Sequence, residues 1–186
     1  MAPLILDAAS SLEPIYGDRD AALRAIEATY RADRTELSHR FGLVAEDEGV
    51  QGIAIAFPGR LFGSLKLGTG VVLARVAGAR HLPDLVRRGR ILDRLMPAPP
   101  GDALYVSVLS VSAEQRRRGV ATALLERAVA GAERLGMGVC LDVGLENEGA
   151  IALYERLGFR QVSVRETTEI ERRLIPTPGS ARLERR

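Results

Sequence analysis

The run Leu104-Tyr105-Val106-Ser107-Val108-Leu109-Ser110-Val111 leads directly into Ser112-Ala113-Glu114-Gln115-Arg116-Arg117-Arg118-Gly119, and that into Val120-Ala121-Thr122. The first part is mainly apolar and rich in β-branched residues, as expected of a strand buried on both faces. The polar, arginine-rich part cannot continue such a strand. From Val120 the apolar residues Val120, Leu124, Leu125, Ala128, Ala132 and Leu135 recur at helical spacing, with Glu126, Arg127, Glu133 and Arg134 on the opposite face. The order is therefore strand, basic loop, helix.

Downstream, Gly136 and Gly138 stop the helix, and Val139 to Val143 reads as a second strand. Ala150 to Leu157 is a short helix ended by Gly158. Phe159 to Arg165 and Thr168 to Ile175 read as a terminal strand pair. Upstream, Phe41 to Glu46 and Val50 to Phe57 flank the turn Asp47-Glu48-Gly49 and form an antiparallel hairpin. Ala22, Leu23, Ile26 and Tyr30 mark a helix over Asp18 to Ala32, capped by Asp18 or Asp20. No first strand is legible near Pro3 to Asp7. Residues 58–102 read least clearly: Leu61 to Val76 is apolar and glycine-rich, and Leu82 to Leu95 is helix-like. The expected class is mixed α/β (α+β), with an antiparallel start and end rather than a doubly wound sheet. A single domain over 1–176 with a flexible tail at 177–186 is expected.

Composition narrows the chemistry. The chain has 186 residues, 46% apolar and 27% charged, enough to bury a sizeable core. One cysteine, Cys140, excludes an internal disulfide, and with only His39 and His81 beside it a Cys/His zinc cage is excluded too. No apolar run approaches the ~18 residues of a membrane helix. The amino-terminal sequence lacks the basic leader of a signal peptide, so a cytoplasmic protein without membrane or metal is expected. The net charge of +2 and the 4% aromatic content argue against a nucleic-acid binder built on Arg116–Arg118 and the Arg172, Arg173, Arg182, Arg185, Arg186 cluster.

Two segments carry candidate chemistry. A helix amino end presents unpaired amides and a partial positive charge, so a phosphate placed there gains several hydrogen bonds. Gly119 has no Cβ to keep it away, Ala121 is small, and three arginines add charge; the same residues also suit a solvated basic loop. In Asn147-Glu148-Gly149-Ala150-Ile151-Ala152-Leu153-Tyr154-Glu155-Arg156-Leu157-Gly158-Phe159, Asn147 and Tyr154 lie two helical turns apart on one face. They can present an amide and a phenol to one ligand. They also fit a helix cap and a half-buried amphipathic residue.

Taken together, Arg116-x-x-Gly119-x-Ala121 after one strand and Asn147, Ala150, Leu153, Tyr154, Gly158 and Phe159 after the next resemble the GCN5-related N-acetyltransferase (GNAT) superfamily. The match is close from about Leu104 to Val164, and it implies a GNAT-like fold: antiparallel N-terminal strands, a central splayed parallel pair (Leu104 to Val111 and Val139 to Val143), a C-terminal antiparallel pair and helices on both faces. The resemblance implies an acetyl-CoA-dependent N-acetyltransferase acting directly on a primary amine of a small molecule or protein. It leaves room for a homodimer and for a non-catalytic acyl-CoA sensor of the same fold. By the same resemblance, Leu109, Ser110 and Val111 would line the pantetheine arm. Arg116, Arg117, Arg118, Gly119, Val120, Ala121 and Thr122 would hold the pyrophosphate. Asn147 would contact the cofactor arm, and Tyr154 would stand near the sulfur as general acid. Ala113 departs from the family's pattern, where proline is common.

For a general base the sequence offers Glu46, Asp47 and Glu48 at the hairpin turn, Ser107 and Ser110 on the cofactor strand, and Asp142 and Glu146 on or after the neighbouring strand. None stands out. The acceptor groove is expected from about 12–40, 58–102 and 165–168, with Arg60, Ser64, Arg75, Arg80, His81 and Asp84 as polar residues of its middle part. His81 reads as structural, and Cys140 reads as a small buried hydrophobe rather than a nucleophile.

Overall fold

The computed structural model describes residues 1–8, 18–78 and 81–186. Its centre is a six-stranded mixed sheet. The strands are β1 (Gly42–Glu46), β2 (Val50–Pro58), β3 (Ala103–Val111), β4 (Gly138–Gly144), β5 (Arg160–Glu166) and β6 (Gly179–Arg185), in spatial order β1-β2-β3-β4-β6-β5. Only β3 and β4 run parallel; the other neighbours are antiparallel.

Helix α5 (Val120–Glu133) connects the parallel pair and covers one face. Its Leu125, Val129 and Ala132 pack on Val106, Leu141, Val143, Ala181 and Leu183, joined by Tyr154 of α6 (Glu148–Arg156). The opposite face carries α1 (Ala2–Ala8), α2 (Arg19–Arg31), α3 (Phe62–Ala77) and α4 (Leu82–Leu95). There Ile53, Ile55 and Val108 meet α1 and α2, while Phe57, Tyr105 and Cys140 meet Phe62 and Leu65 of α3. Alternate residues of β3 thus feed two cores, as the strand's period of two requires.

The amino terminus, where no first strand was legible near Pro3 to Asp7, is a helix: Ala2, Ile5 and Leu6 are buried at helical spacing. Two expectations change. Residues 168–175 do not form the last strand. Thr168 and Glu171 build a reciprocal capping box that starts a single turn, α7 (Glu169–Arg172). The expected flexible tail at 177–186 is instead β6, inserted between β4 and β5 with Gly179 to Leu183 buried. Its Ala181 and Leu183 point into the α5 core while Arg182, on the other face, pairs with Asp142. That partner lies 40 residues upstream, so the segment reads as polar when taken alone.

The glycine-rich stretch at 61–76 is the helix α3. At Gly68 any Cβ would stand 1.8 Å from the Arg34 carbonyl oxygen, so glycine lets α3 press against the chain leaving α2. Asp18 caps α2, its Oδ1 accepting from the Ala21 amide at 2.7 Å.

Candidate active site

The parallel ladder between β3 and β4 runs for four pairs, from Ala103 opposite Gly138 to Val106 opposite Leu141. Both strands continue, β3 to Val111 and β4 to Gly144, without pairing to each other. The seam opens where Ser107 forms a bulge: Ile55 pairs with Val108 and Ala56 with Val106, which leaves Ser107 extra. Its hydroxyl donates to the carbonyl oxygens of Glu36 (3.1 Å) and Ile55 (3.2 Å), anchoring the bulge.

Beyond the bulge the strand direction fixes which backbone groups face the gap. The Ser112 amide donates to the Gln51 carbonyl at 2.9 Å, toward β2. In an antiparallel ladder, alternate residues turn the other way, so Leu109 and Val111 direct their backbone groups toward β4. The Arg116 Nε–H on the Val111 carbonyl oxygen, at 3.2 Å, agrees with that direction. Ser110 is buried on the α1–α2 side.

The chain then turns sharply into α5. Arg117 has φ 62° and Gly119 φ 85°, both left-handed, while Arg116 to Gly119 leave the Ala113–Gln115 turn. Left-handed residues interleaved this way gather successive amides into an anion-binding concavity. Among the described residues no side chain caps α5, so the amides of Val120, Ala121 and Thr122 are not claimed by one. A Cβ built on Gly119 would meet nothing within 4 Å. The turn is open, which is the condition a diphosphate requires. Arg117 and Arg118 are exposed beside it.

Across the gap, Asn147 caps α6, its Oδ1 accepting from the Ala150 amide at 3.1 Å, which leaves its NH2 group to be used elsewhere. Tyr154 is 7% exposed and joins the core cluster containing Val106 and Leu141, the last residues of the parallel ladder. Its ring centroid lies 6.0 Å from that of Phe159. Burial pushes its phenol up to about 12. Among the described residues no hydrogen bond engages the hydroxyl and no fully buried side-chain polar atom lacks a partner, so that oxygen is not completely sealed off.

The carboxylates sort themselves. Glu46 and Asp47–Glu48 belong to β1 and its turn at the sheet's edge, with β2 and β3 between them and the gap. The Asp142 carboxylate is fully buried and held by Arg182, whose Nε donates to Oδ1 at 3.0 Å and Nη2 to Oδ2 at 2.6 Å. The Tyr105 hydroxyl also donates to Oδ2, at 3.0 Å. Burial raises the Asp142 carboxyl above the ordinary range, with Arg182's hydrogen bonds and charge opposing. Arg182 also donates to the carbonyls of Ala98 and Pro97, locking β6 to the loop before β3. Glu146 accepts from the Thr177 hydroxyl at 3.0 Å. A further carboxylate, not considered in the sequence reading, is Glu36, half-buried behind the bulge; burial raises its carboxyl, with Lys66 opposing. Nothing local marks it, because its surroundings come from α3, α4 and β3.

Of the groove residues, Ser64 donates to the Leu61 carbonyl at 2.8 Å and Arg60 is exposed; Arg80 lies outside the described residues, as does the stretch 12–17. Cys140 is buried and its thiol is pushed up to about 12 by desolvation, in keeping with a small hydrophobe. The arginine cluster near the carboxyl end does not form one basic face. Arg182 is buried in its ion pair, and Arg185 donates to the Leu157 carbonyl and to Glu133. A cavity of about 430 Å³ lined by Pro100, Asp102, Glu133, Met137 and Glu184 lies at the opposite, paired end of β3 and β4, away from the opened seam. Among the described residues no group of His, Cys, Asp and Glu side chains is placed to hold a metal ion, and no helix is long and apolar enough to cross a membrane.

An opened parallel seam ending in a glycine turn at a helix start defines the acetyltransferase class of fold. The family model of the Acetyltransferase (GNAT) family matches residues 12–159, and the chain belongs to that family. An N-alpha-acetyltransferase of Saccharolobus solfataricus is 31% identical over 101 residues, 51% of this chain and 52% of that protein. An uncharacterized N-acetyltransferase of Methanocaldococcus jannaschii is 44% identical over 55 residues, 29% of this chain and 24% of that protein. The chain therefore spans about half, or less, of these relatives' length. The crystal structure of an N-acetyltransferase from Staphylococcus aureus Mu50 superposes with a TM-score of 0.71 at 21% identity, covering 98% of this chain and 92% of that one.

Proposed function

We propose that the protein transfers an acetyl group from acetyl-CoA to a primary amine, by direct attack in a complex holding both substrates. The observation that carries this reading is the open, left-handed Gly119 turn at the end of the strand that parts from β4. The amides of residues 117–122 hold the diphosphate. The gap-facing backbone of Leu109 and Val111 binds the pantetheine arm as an added strand would, with the Asn147 NH2 group on its other side. Bound acetyl-CoA supplies the electrophile, an acetyl thioester. In this reading the Leu109 amide polarises the acetyl carbonyl.

Tyr154 serves the sulfur. With its phenol near 12 it is protonated at every working pH. Thiols ionise near 8.5, so complete transfer of the phenol proton onto a free thiolate is uphill by roughly 3 to 4 pKa units, about 5 kcal/mol. Its part is therefore a hydrogen bond that strengthens as charge builds on sulfur, with the proton following as the bond breaks. The acceptor amine must be neutral when it attacks.

The half-length likeness to an N-alpha-acetyltransferase makes the α-amine of a polypeptide the first acceptor to test, with small-molecule amines beside it. The experiment is thiol release from acetyl-CoA across peptides with free amino termini and a panel of small amines. Release with at least one acceptor supports the transferase. CoA binding without release from any of them supports an acyl-CoA sensor of the same fold.

A further inference from the structure

We propose that Glu36 is the general base that takes the proton from the acceptor's ammonium group, an assignment that rests on the transferase reading above. Two elements, β3 and α3, hold its backbone in place. The Ser107 hydroxyl, at the bulge where the seam opens, holds the Glu36 carbonyl at 3.1 Å, so this loop is fastened to the reacting end of β3. Thr69 of α3 accepts from the Glu36 amide at 3.1 Å. Gly68, beside Thr69, permits that approach, since α3 there touches the Arg34 carbonyl.

The charged groups facing Glu36 are Lys66 of α3 and Asp93 of α4, with Tyr105 of β3 also within electrostatic reach. Lys66 and Asp93 pair with each other, and the Lys66 ammonium lies 5.3 Å from the Phe62 ring centre. Lys66 therefore lends Glu36 only part of its charge. Among the described residues Glu36 makes no ion pair of its own, in contrast to Asp142, which Arg182 saturates. Desolvation holds its carboxyl above the ordinary carboxylate range and so brings it nearer the amine it must deprotonate. Lys66 opposes that shift.

The balance closes without a further reactant. The ammonium gives one proton to the Glu36 carboxylate, which passes it to solvent. The freed lone pair forms the C–N bond to the acetyl carbon, and the C–S bond breaks with its electron pair on sulfur. The nitrogen's second proton is lost as the amide forms, matching the one that Tyr154 delivers to sulfur.

The test measures kcat/KM for the acceptor against pH in wild type, Glu36→Gln and Lys66→Met, with a CoA titration of each to verify the folded cofactor site. Glu36→Gln is expected to bind CoA as wild type does, to lose about 10²–10⁴-fold in kcat/KM at neutral pH, and to lose the acidic limb of the profile. Lys66→Met is expected to keep that limb and move it to higher pH, because a cation that favours the ionised carboxylate is gone. Wild-type-like kcat/KM in Glu36→Gln overturns the assignment, as does a large loss with the acidic limb intact. Absence of thiol release by wild type with every amine overturns the transferase reading itself, and the assignment with it.

Discussion

Gly119→Glu separates what the turn does for the fold from what it does for the ligand. At φ 85° any side chain carries a steric penalty of about 1–2 kcal/mol. Nothing else resists it, since the added Cβ meets no atom within 4 Å. Against a typical domain stability of about 5–15 kcal/mol the variant remains folded. The ligand side is larger. Hydrogen bonds to a charged group contribute about 1.5–3 kcal/mol each. Displacing the diphosphate from two of the amides at the start of α5 costs about 3–6 kcal/mol, a 10²–10⁴-fold rise in Kd. The carboxylate adds like-charge repulsion at the same place. Calorimetric titration with CoA reads that change, and titration with acetyl-pantetheine, which lacks the diphosphate, should read none. Gly119→Ala should show the same loss of stability with a much smaller loss of CoA affinity. A folded Gly119→Glu that binds CoA within a few-fold of wild type would refute the placement of the diphosphate on this turn.

Three further outcomes follow from the geometry. Tyr154→Phe should lower kcat about 10²-fold while leaving CoA affinity unchanged, as read by thiol release and titration; equal kcat would remove the phenol from the reaction. Arg182→Met should leave the buried Asp142 carboxylate unpaired and cost about 3–5 kcal/mol in urea unfolding, whereas replacing both partners with apolar residues should recover much of it. Glu36→Gln should raise stability relative to wild type at pH 7 to 8. A carboxyl raised in the fold favours the protonated form, so wild type loses stability as pH rises from the ordinary value of 4.5 through the folded one, and the difference should vanish in unfolding curves taken well below 4.5.

How legible each element was depends on how locally its reasons lie. The helix that follows Gly119 was legible because one turn repeats the next: Leu124, Leu125 and Ala128 need no distant partner to declare a face. The strand before it, the glycine turn and the Asn147–Phe159 helix were legible for the same reason, and they carry the candidate cofactor site. The hairpin of β1 and β2 announced itself by its turn.

The remainder was set by contacts between segments far apart in the chain. Residues 179–185 become a central strand because Ala181 and Leu183 complete a core built by α5, and because Arg182 meets Asp142 across the sheet. Glycines at 63, 68 and 70 speak against a helix locally, yet α3 forms because Phe62 and Leu65 bury against Tyr105 and Gly68 admits the Arg34 carbonyl. Sequence alone determined the family and drew attention to the Gly119 turn as the proposed diphosphate site, since both readings follow from short-range pattern. Only the tertiary structure singled out Glu36 among the carboxylates, because desolvation and charge at that position come from helices and a strand that the chain reaches much later.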